Sequence, residues 1–153
     1  MSETPVFIDR ETILLTKDGV FLSDGEEIAH ARTVEAFHRF LGRDADGYFI
    51  RIGRDFKRIE VEDTAAFVTD IVWAGADGAE TVELRLNDGT RQPLDPATLA
   101  YRPERLTCRV RTADGREEEA KFLRKPYTEF LLRALDDQSG YCVRLGEKMI
   151  RLG

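Results

Sequence analysis

The stretch Gly47-Tyr48-Phe49-Ile50-Arg51-Ile52-Gly53 recurs 93 positions later as Gly140-Tyr141-Cys142-Val143-Arg144-Leu145-Gly146. The same register, carried without a gap, aligns Phe37 with Phe130, Asp44 with Asp137, and Arg58 with Arg151. A repeat with such a long period and only two copies is not typical of a solenoid array, whose units are shorter and more numerous. The chain is therefore predicted to contain two related small domains or half-domains.

The composition is that of a globular protein. The chain has 153 residues, of which 42% are hydrophobic and 34% charged, enough for one compact core or two small ones. The formal net charge of -6 and the pI near 5.1 argue against a general affinity for nucleic-acid phosphates. No apolar run reaches the roughly 18 residues of a membrane span, and the first residues do not form a secretory leader. We expect a cytoplasmic protein without nucleic-acid or membrane partners.

Catalytic and metal-binding motifs are absent from the sequence, which contains no GxSxG, Walker loop, GxGxxG or HExxH pattern. Cys108 and Cys142 lie in predicted strands without CxxC spacing, which favours buried free thiols. Glu62 and Asp63 form a carboxylate pair that could act in acid–base chemistry, although such clusters at strand ends are mostly solvated. The prediction is a non-enzymatic protein with no cofactor and no metal.

Each predicted repeat consists of antiparallel hairpins and one helix. In the first repeat, 1–63, Asp-Gly turns mark a hairpin, and an apolar stripe at helical spacing predicts a helix over 31–42. Strands are predicted over 48–52 and 56–61. The second repeat, 106–153, follows the same order of turn, helix and closing hairpin.

The segment between the repeats, 64–105, has no counterpart. Alternating residues predict a central hairpin from 65–73 and 81–86. Three prolines within 90–105 favour an irregular connector after it. The predicted fold class is α+β with antiparallel sheets.

Strand parity gives each closing hairpin two unlike faces, because residues two apart share a face. The apolar faces, predicted to pack on the helices, carry Tyr48, Ile50, Ile52, Ile59 and Val61 in the first repeat and Tyr141, Val143, Leu145, Ile150 and Leu152 in the second. The opposite faces combine apolar bulk with two arginines each. The first mixed face holds Phe49, Arg51, Phe56 and Arg58, and the second mixed face holds Cys142, Arg144, Met149 and Arg151.

These arginines suggest an anion site. If the mixed faces approach one another, up to four guanidinium groups would line the junction, and each is a planar donor suited to carboxylate or phosphate. The candidate ligand-binding residues are Phe49, Arg51, Phe56, Lys57, Arg58, Arg144 and Arg151. The alternative is that the arginines pair with the abundant carboxylates and stack on the aromatic rings, with no ligand.

Several segments resemble a bacterial domain-of-unknown-function family, DUF1285. They are Asp18-Gly19, Gly25, Ile28, Phe37, Leu41, Asp46-Gly47-Tyr48, Lys57, Ile59 and above all Val61-Glu62-Asp63-Thr64-Ala65-Ala66-Phe67-Val68. The chain departs from the family pattern at Phe56, where the family has an acidic residue, and at Phe21, where it favours tryptophan. The resemblance implies a duplicated α+β fold whose second half is similar to pleckstrin-homology-like domains. It implies no established activity, but a nucleotide-like ligand at the domain junction and a part in bacterial signal transduction.

Two functions remain open at this point. The first is a non-enzymatic sensor or regulatory protein that binds an anionic small ligand, nucleotide-based in the family's case, between the repeats. The second is an adaptor that holds a signalling protein partner on a sheet edge or on a mixed face.

Overall fold

The protein divides into two compact units, Met1–Ala65 and Ala66–Gly153. The computed structural model describes residues 7, 10–75, 80–137, 140–145 and 148–152, and of 134–137, 140, 141, 148 and 152 it describes the backbone alone. Strands dominate both units, and the described residues contain two α-helices. The fold is therefore of the α+β class, as predicted.

The first unit contains two small sheets. A four-stranded sheet has the order β3-β2-β1-β7, and a three-stranded antiparallel sheet has the order β4-β5-β6. The strands are β1 (Ile13–Leu15), β2 (Phe21–Ser23), β3 (Glu26–Glu27), β4 (Leu41–Asp44), β5 (Gly47–Ile52), β6 (Asp55–Arg58) and β7 (Glu60–Val61). The β1–β2 hairpin turns at Gly19, whose φ of 81° is readily adopted by glycine. The Asp-Gly hairpin predicted from the sequence is thus present.

Helix α1 (Ala31–Arg39) lies between β3 and β4. His30 caps it, because the ring Nδ1 accepts a hydrogen bond from the Thr33 N–H at 3.3 Å. Phe37 is buried and packs 5.5 Å, centroid to centroid, from both Phe7 and Phe21. These contacts explain the apolar stripe from which the helix was predicted.

The helix is shorter than the predicted 31–42. It ends after Arg39, and Leu41 already begins β4, where it lies opposite Ile50 of β5. Gly42 lies opposite Phe49 in the same ladder. Pairing with β5 overrides the local helical pattern, because β4 buries Leu41 and the Arg51 N–H of β5 bonds to the Phe40 carbonyl at 3.3 Å.

The second unit is built on a six-stranded sheet with the order β10-β9-β8-β13-β12-β11. Its strands are β8 (Ala66–Ala74), β9 (Thr81–Leu86), β10 (Arg91–Pro93), β11 (Ala100–Arg102), β12 (Arg105–Arg111) and β13 (Glu117–Phe122). β8 and β13 pair in parallel, with Ala66 opposite Ala120, and the other pairs are antiparallel.

The segment 64–105, predicted as a central hairpin and an irregular connector, contributes four strands to this sheet. The predicted hairpin is present as β8 and β9, but the predicted irregular connector supplies β10 and β11, which form the two edges of the sheet. The segment is therefore part of the second unit and not a separate link. Proline is tolerated at such edges, as Pro93 in β10 illustrates, because an edge strand has one side without a ladder.

Helix α2 (Arg124–Leu131) follows β13 and packs against the sheet through Phe130, which is fully buried. Phe130 lies 5.8 Å from Trp73 and 5.9 Å from Phe122, centroid to centroid. Val143 and Leu145 belong to the same core cluster. The predicted apolar face of the second closing hairpin therefore packs as expected at these two positions, whereas the side chains of Tyr141 and Leu152 lie outside the described residues.

The last sheet of the second unit matches the three-stranded sheet of the first in order and register. Its strands are β14 (Ala134–Asp137), β15 (Gly140–Leu145) and β16 (Lys148–Leu152), in that order. Leu41 lies opposite Ile50 and Ala134 opposite Val143, and Phe49 opposite Arg58 as Cys142 is opposite Arg151. Each pair keeps the 93-residue spacing seen in the sequence.

Both cysteines are buried free thiols, which confirms the prediction from their spacing. Burial raises the pKa of the Cys108 thiol to about 12, so it stays protonated at neutral pH. Cys142, however, was expected on the second mixed face and is only 3% exposed. Cys142 is therefore not available on the surface, and the second mixed face is correspondingly smaller than predicted.

Candidate functional site

The first mixed face is formed by two cross-strand pairs on β5 and β6. Phe49 lies opposite Arg58, and Arg51 opposite Phe56. The Ile59 N–H donates to the Tyr48 carbonyl at 3.1 Å, so by alternation these two pairs are the non-hydrogen-bonded ones of the ladder. Side chains are closest in such pairs, which brings the two rings and two guanidinium groups together.

The rings form the centre of this cluster. Phe49 and Phe56 stack with centroids 5.1 Å apart and an interplanar angle of 29°. The Arg51 guanidinium carbon lies 4.9 Å from the Phe56 centroid and 5.8 Å from that of Phe49. For Arg58 the corresponding distances are 5.1 and 5.6 Å. Both cations therefore contact the electron-rich ring faces, an arrangement that favours them electrostatically.

Gly42 makes room for this stack. A Cβ atom at Gly42 would lie 2.7 Å from Cζ of Phe49, closer than packed carbon atoms approach. The Phe49 ring therefore lies across β4, over the place where another residue would carry its side chain. Position 42, the end of the predicted helix 31–42, instead lies in β4 directly beneath the Phe49 ring.

Arg58 is held by Asp44 of β4. Its Nη1 donates to Oδ1 at 2.8 Å and its Nη2 to Oδ2 at 3.2 Å, a bidentate pair, and Nη1 also donates to the Gly47 carbonyl at 3.1 Å. The hydrogen bonds from Arg58 lower the pKa of the Asp44 carboxyl from its ordinary value, and those to Asp44 raise the pKa of Arg58. The Arg58 side chain thus reaches across β5 and is committed to an internal partner.

We expect Arg58→Gln to raise the pKa of Asp44 back toward its ordinary value of 3.8. Since the folded-state pKa is depressed, the ion pair stabilises the protein above the unfolded pKa, and this contribution disappears as the pH falls through the folded value. Carbon-detected NMR titration of the Asp44 carboxyl measures the change directly. Arg54→Gln, in the β5–β6 turn, is the control and should leave the Asp44 pKa where it is.

Arg51 differs from Arg58 in this respect. Its side chain is exposed, and among the described residues it makes ring contacts but no ion pair with a carboxylate. It also lies nearer to Phe56 than to Phe49, so the guanidinium leans toward β6. In this cluster, the guanidinium group of Arg51 therefore makes no ion pair with a carboxylate of the described residues.

The other candidate residues are placed differently. Lys57 lies opposite Ile50, so it belongs to the apolar face and not to the mixed face with which it was grouped. Arg144 and Arg151 are exposed on β15 and β16, and Met149 is 53% exposed. These residues belong to the second unit, whereas Phe49, Arg51, Phe56 and Arg58 belong to the first.

Sequence reasoning missed Asp44 as a member of the site. Asp44 was not among the candidate ligand-binding residues, and only the pairing of β4 with β5 brings it within reach of Arg58. A signal was available, because Asp44 recurs as Asp137 in the register that aligns Arg58 with Arg151. This recurrence of an acid and a base at the same spacing was a signal that Asp44 and Arg58 could form a pair.

Other kinds of site find no support in the described part of the chain. No group of three or more His, Cys, Asp or Glu side chains there could hold a metal ion. No helix among the described residues is sufficiently long and apolar to cross a membrane.

Comparison with solved structures shows the fold of the DUF1285 family. A DUF1285 family protein from Silicibacter pomeroyi DSS-3 superposes with a TM-score of 0.66 and 17% sequence identity, covering 92% of this chain and 78% of that one. Another, from Shewanella baltica OS155, gives a TM-score of 0.57 at 18% identity and covers 80% of this chain and 92% of that one. The resemblance predicted from the sequence is thereby confirmed at the level of fold.

Two further comparisons, with protein-family models and with curated proteins, found no match. No family model matches the chain, and no curated protein matches it.

Proposed function

We propose, from a fold shared with DUF1285 proteins and from the position of Arg51, that the chain is a non-enzymatic regulatory module that binds an anionic small molecule. Nucleotides are the ligand class to test first, and bacterial signal transduction is the proposed setting. The observation that carries the proposal is Arg51, an exposed guanidinium stacked on two aromatic rings and without a described carboxylate partner.

The interactions of the neighbouring Arg58 support this proposal for Arg51. Arg58 holds the Asp44 carboxylate with two parallel hydrogen bonds while its guanidinium lies over the same two rings. Arg51 has the same ring support, which limits the rotamers it must give up when an anion binds. Two oxygens of a carboxylate or phosphate could therefore accept hydrogen bonds from an Arg51 guanidinium that is already partly ordered.

Phe49 and Phe56, two of the candidate ligand-binding residues, stack on each other and are flanked by both guanidinium groups. In this proposal a planar base stacks on the side of the Arg51 guanidinium that faces away from the rings, since guanidinium planes also stack on aromatic systems. The proposal thus assigns the anion to Arg51 and leaves the rings as its support.

Duplication is the second part of the proposal. It is supported by the shared order of helix and three strands, by the matched register of the two three-stranded sheets and by the repeated Gly-Tyr-x-x-Arg-x-Gly. The likeness of the second half to pleckstrin-homology-like domains rests on the family resemblance. That Arg144 and Arg151 contribute to the same ligand stays a prediction.

A ligand screen by thermal unfolding tests the function. Inorganic phosphate and a panel of nucleoside mono-, di-, tri- and cyclic phosphates are added to the wild-type chain. A true ligand present at one hundred times its dissociation constant is expected to stabilise the fold by about 2.7 kcal/mol. Arg51→Gln should abolish the stabilisation.

Arg109→Gln is the matched control, because Arg109 is an exposed arginine of the second unit outside the cluster. It should respond to the ligand as the wild type does. The proposal fails if no compound raises the melting temperature more than sodium chloride of equal ionic strength, or if Arg51→Gln keeps the full effect.

A further inference from the structure

Phe40 extends the first mixed face past the end of β4. It is the residue between α1 and β4, and its carbonyl accepts a hydrogen bond from the Arg51 N–H at 3.3 Å. This bond continues the β4–β5 ladder one step past the pair of Leu41 and Ile50, so Phe40 lies opposite Arg51. Residues that are directly opposite in a ladder have their side chains on the same face of the sheet.

The burial of the neighbouring residues agrees with this placement. Leu41 is 8% exposed, whereas Phe40 is 45% exposed. Gly42, two residues after Phe40, lies opposite Phe49 of the first mixed face. Phe40 therefore belongs to this face and not to the core face that Leu41 occupies.

Arg51 consequently lies between two half-exposed rings. Phe56, which is 40% exposed, is opposite Arg51 on β6, and Phe40 is opposite it on the β4 side. The guanidinium contacts the rings of Phe56 and Phe49 and leans toward β6. A planar group on the Phe40 side would therefore have an aromatic ring and a guanidinium as neighbours, and both stack on aromatic systems.

A second guanidinium group accompanies Phe40. The Arg39 guanidinium carbon lies 5.6 Å from the Phe40 ring centroid, a contact of the same type as that of Arg51 with Phe56. Within the described part of the chain, neither Arg39 nor Arg51 forms an ion pair with a carboxylate. Two positive charges that no described acid neutralises thus lie next to two half-exposed rings.

We propose that Phe40 stacks on an aromatic group of the ligand, so that this surface selects an aromatic anion over a simple phosphate or carboxylate. Arg51 and Arg39 bind the anionic groups, and a nucleoside diphosphate has enough of them to engage both. The inference rests on the proposed function, because it specifies the ligand of the same surface. It does not specify the base, since every base has a face on which an aromatic side chain can stack.

Titration calorimetry on the full chain tests this selection with adenosine diphosphate, inorganic pyrophosphate and adenosine. The first probe carries both the ring and the charge, the second only the charge, and the third only the ring. We expect adenosine diphosphate to bind about tenfold more tightly than pyrophosphate, a difference of about 1.4 kcal/mol, which is within the range for stacking one base. Adenosine should bind more weakly than adenosine diphosphate.

Phe40→Leu keeps apolar bulk at this position but removes the aromatic face. It should weaken adenosine diphosphate about tenfold and leave pyrophosphate unchanged, so that the difference between the two disappears. Leu132→Ala, which truncates an exposed apolar side chain of the second unit, is the control and should change neither affinity. Phe40→Trp should restore stacking, and adenosine diphosphate but not pyrophosphate should quench its added fluorescence after subtraction of the wild-type signal.

Arg39→Gln tests the second cation. It should weaken adenosine diphosphate about tenfold, the loss of one charge-assisted hydrogen bond, and should weaken adenosine monophosphate less. Arg32→Gln is the matched control, because Arg32 is an exposed arginine of the same helix, and it should leave both affinities unchanged. An equal effect of Arg39→Gln and Arg32→Gln would overturn the assignment of Arg39.

The remaining outcomes separate this inference from the proposed function. If pyrophosphate binds as tightly as adenosine diphosphate, or if Phe40→Leu preserves the difference between them, the inference is overturned while the binding of an anion stands. If adenosine binds as tightly as adenosine diphosphate, the site is not an anion site and both are overturned. Both are also overturned if none of the phosphate compounds binds.

Discussion

Replacing Phe130 with alanine is expected to lower the free energy of unfolding by about 3–5 kcal/mol. The side chain is 0% exposed at the centre of the second unit's core, and its ring contacts those of Trp73 and Phe122. The loss combines the transfer free energy of the ring with a cavity that α2 and the sheet cannot close without strain. Urea denaturation followed by circular dichroism measures it.

Leu132→Ala is the control for this substitution. Leu132 is the residue after α2, and it is 79% exposed, so its truncation should change the free energy of unfolding by less than about 0.5 kcal/mol. A loss under about 1 kcal/mol for Phe130→Ala would show that Phe130 is not the core residue that the structure describes.

Phe37→Ala is expected to produce a loss of similar size, about 3–5 kcal/mol, in the first unit. Phe37 is 3% exposed and packs edge-on against Phe21 and at a tilt against Phe7. Its removal takes the buried anchor from α1, whose nine residues are too few to be stable without tertiary packing. The measurement is urea denaturation, with helical ellipticity as one of the probes.

Phe40→Ala makes the same chemical change beside the same helix at a position that is 45% exposed. Its cost should stay below about 1.5 kcal/mol, because roughly half of the ring already contacts water. Equal losses at positions 37 and 40 would contradict the assignment of Phe37 to the core face.

The agreement between sequence and structure is best where the determinants are local. The Asp-Gly hairpin, the apolar stripe of α1 and the strand parity of β5 and β6 depend on residues only a few positions apart. Parity alone put Phe49, Arg51, Phe56 and Arg58 on one face, and the structure brings their side chains into contact. The family resemblance likewise predicted a fold that two solved structures confirm.

The misplaced elements are those that long-range pairing decides. The start of β4 was predicted as part of the helix. Only its ladder with β5 distinguishes Leu41 and Gly42 from the end of a helix. The edge strands β10 and β11 were predicted as an irregular connector because of their prolines, and again only the pairing with neighbouring strands identifies them. Lys57 was grouped with the arginines by charge, whereas the register turns it to the other face.

The sequence by itself thus determined the α+β class, the apolar stripe of α1 and the alternation that gathers two rings and two arginines on one face, because these follow from spacing along the chain. Only the tertiary structure decided how the two arginines differ. Asp44 reaches Arg58 through the β4–β5 ladder and holds it, while Arg51 lies over the same rings beside the open edge of β6. The physical reason is that an ion pair depends on which strands are neighbours and where side chains lean, and neither is encoded in local spacing.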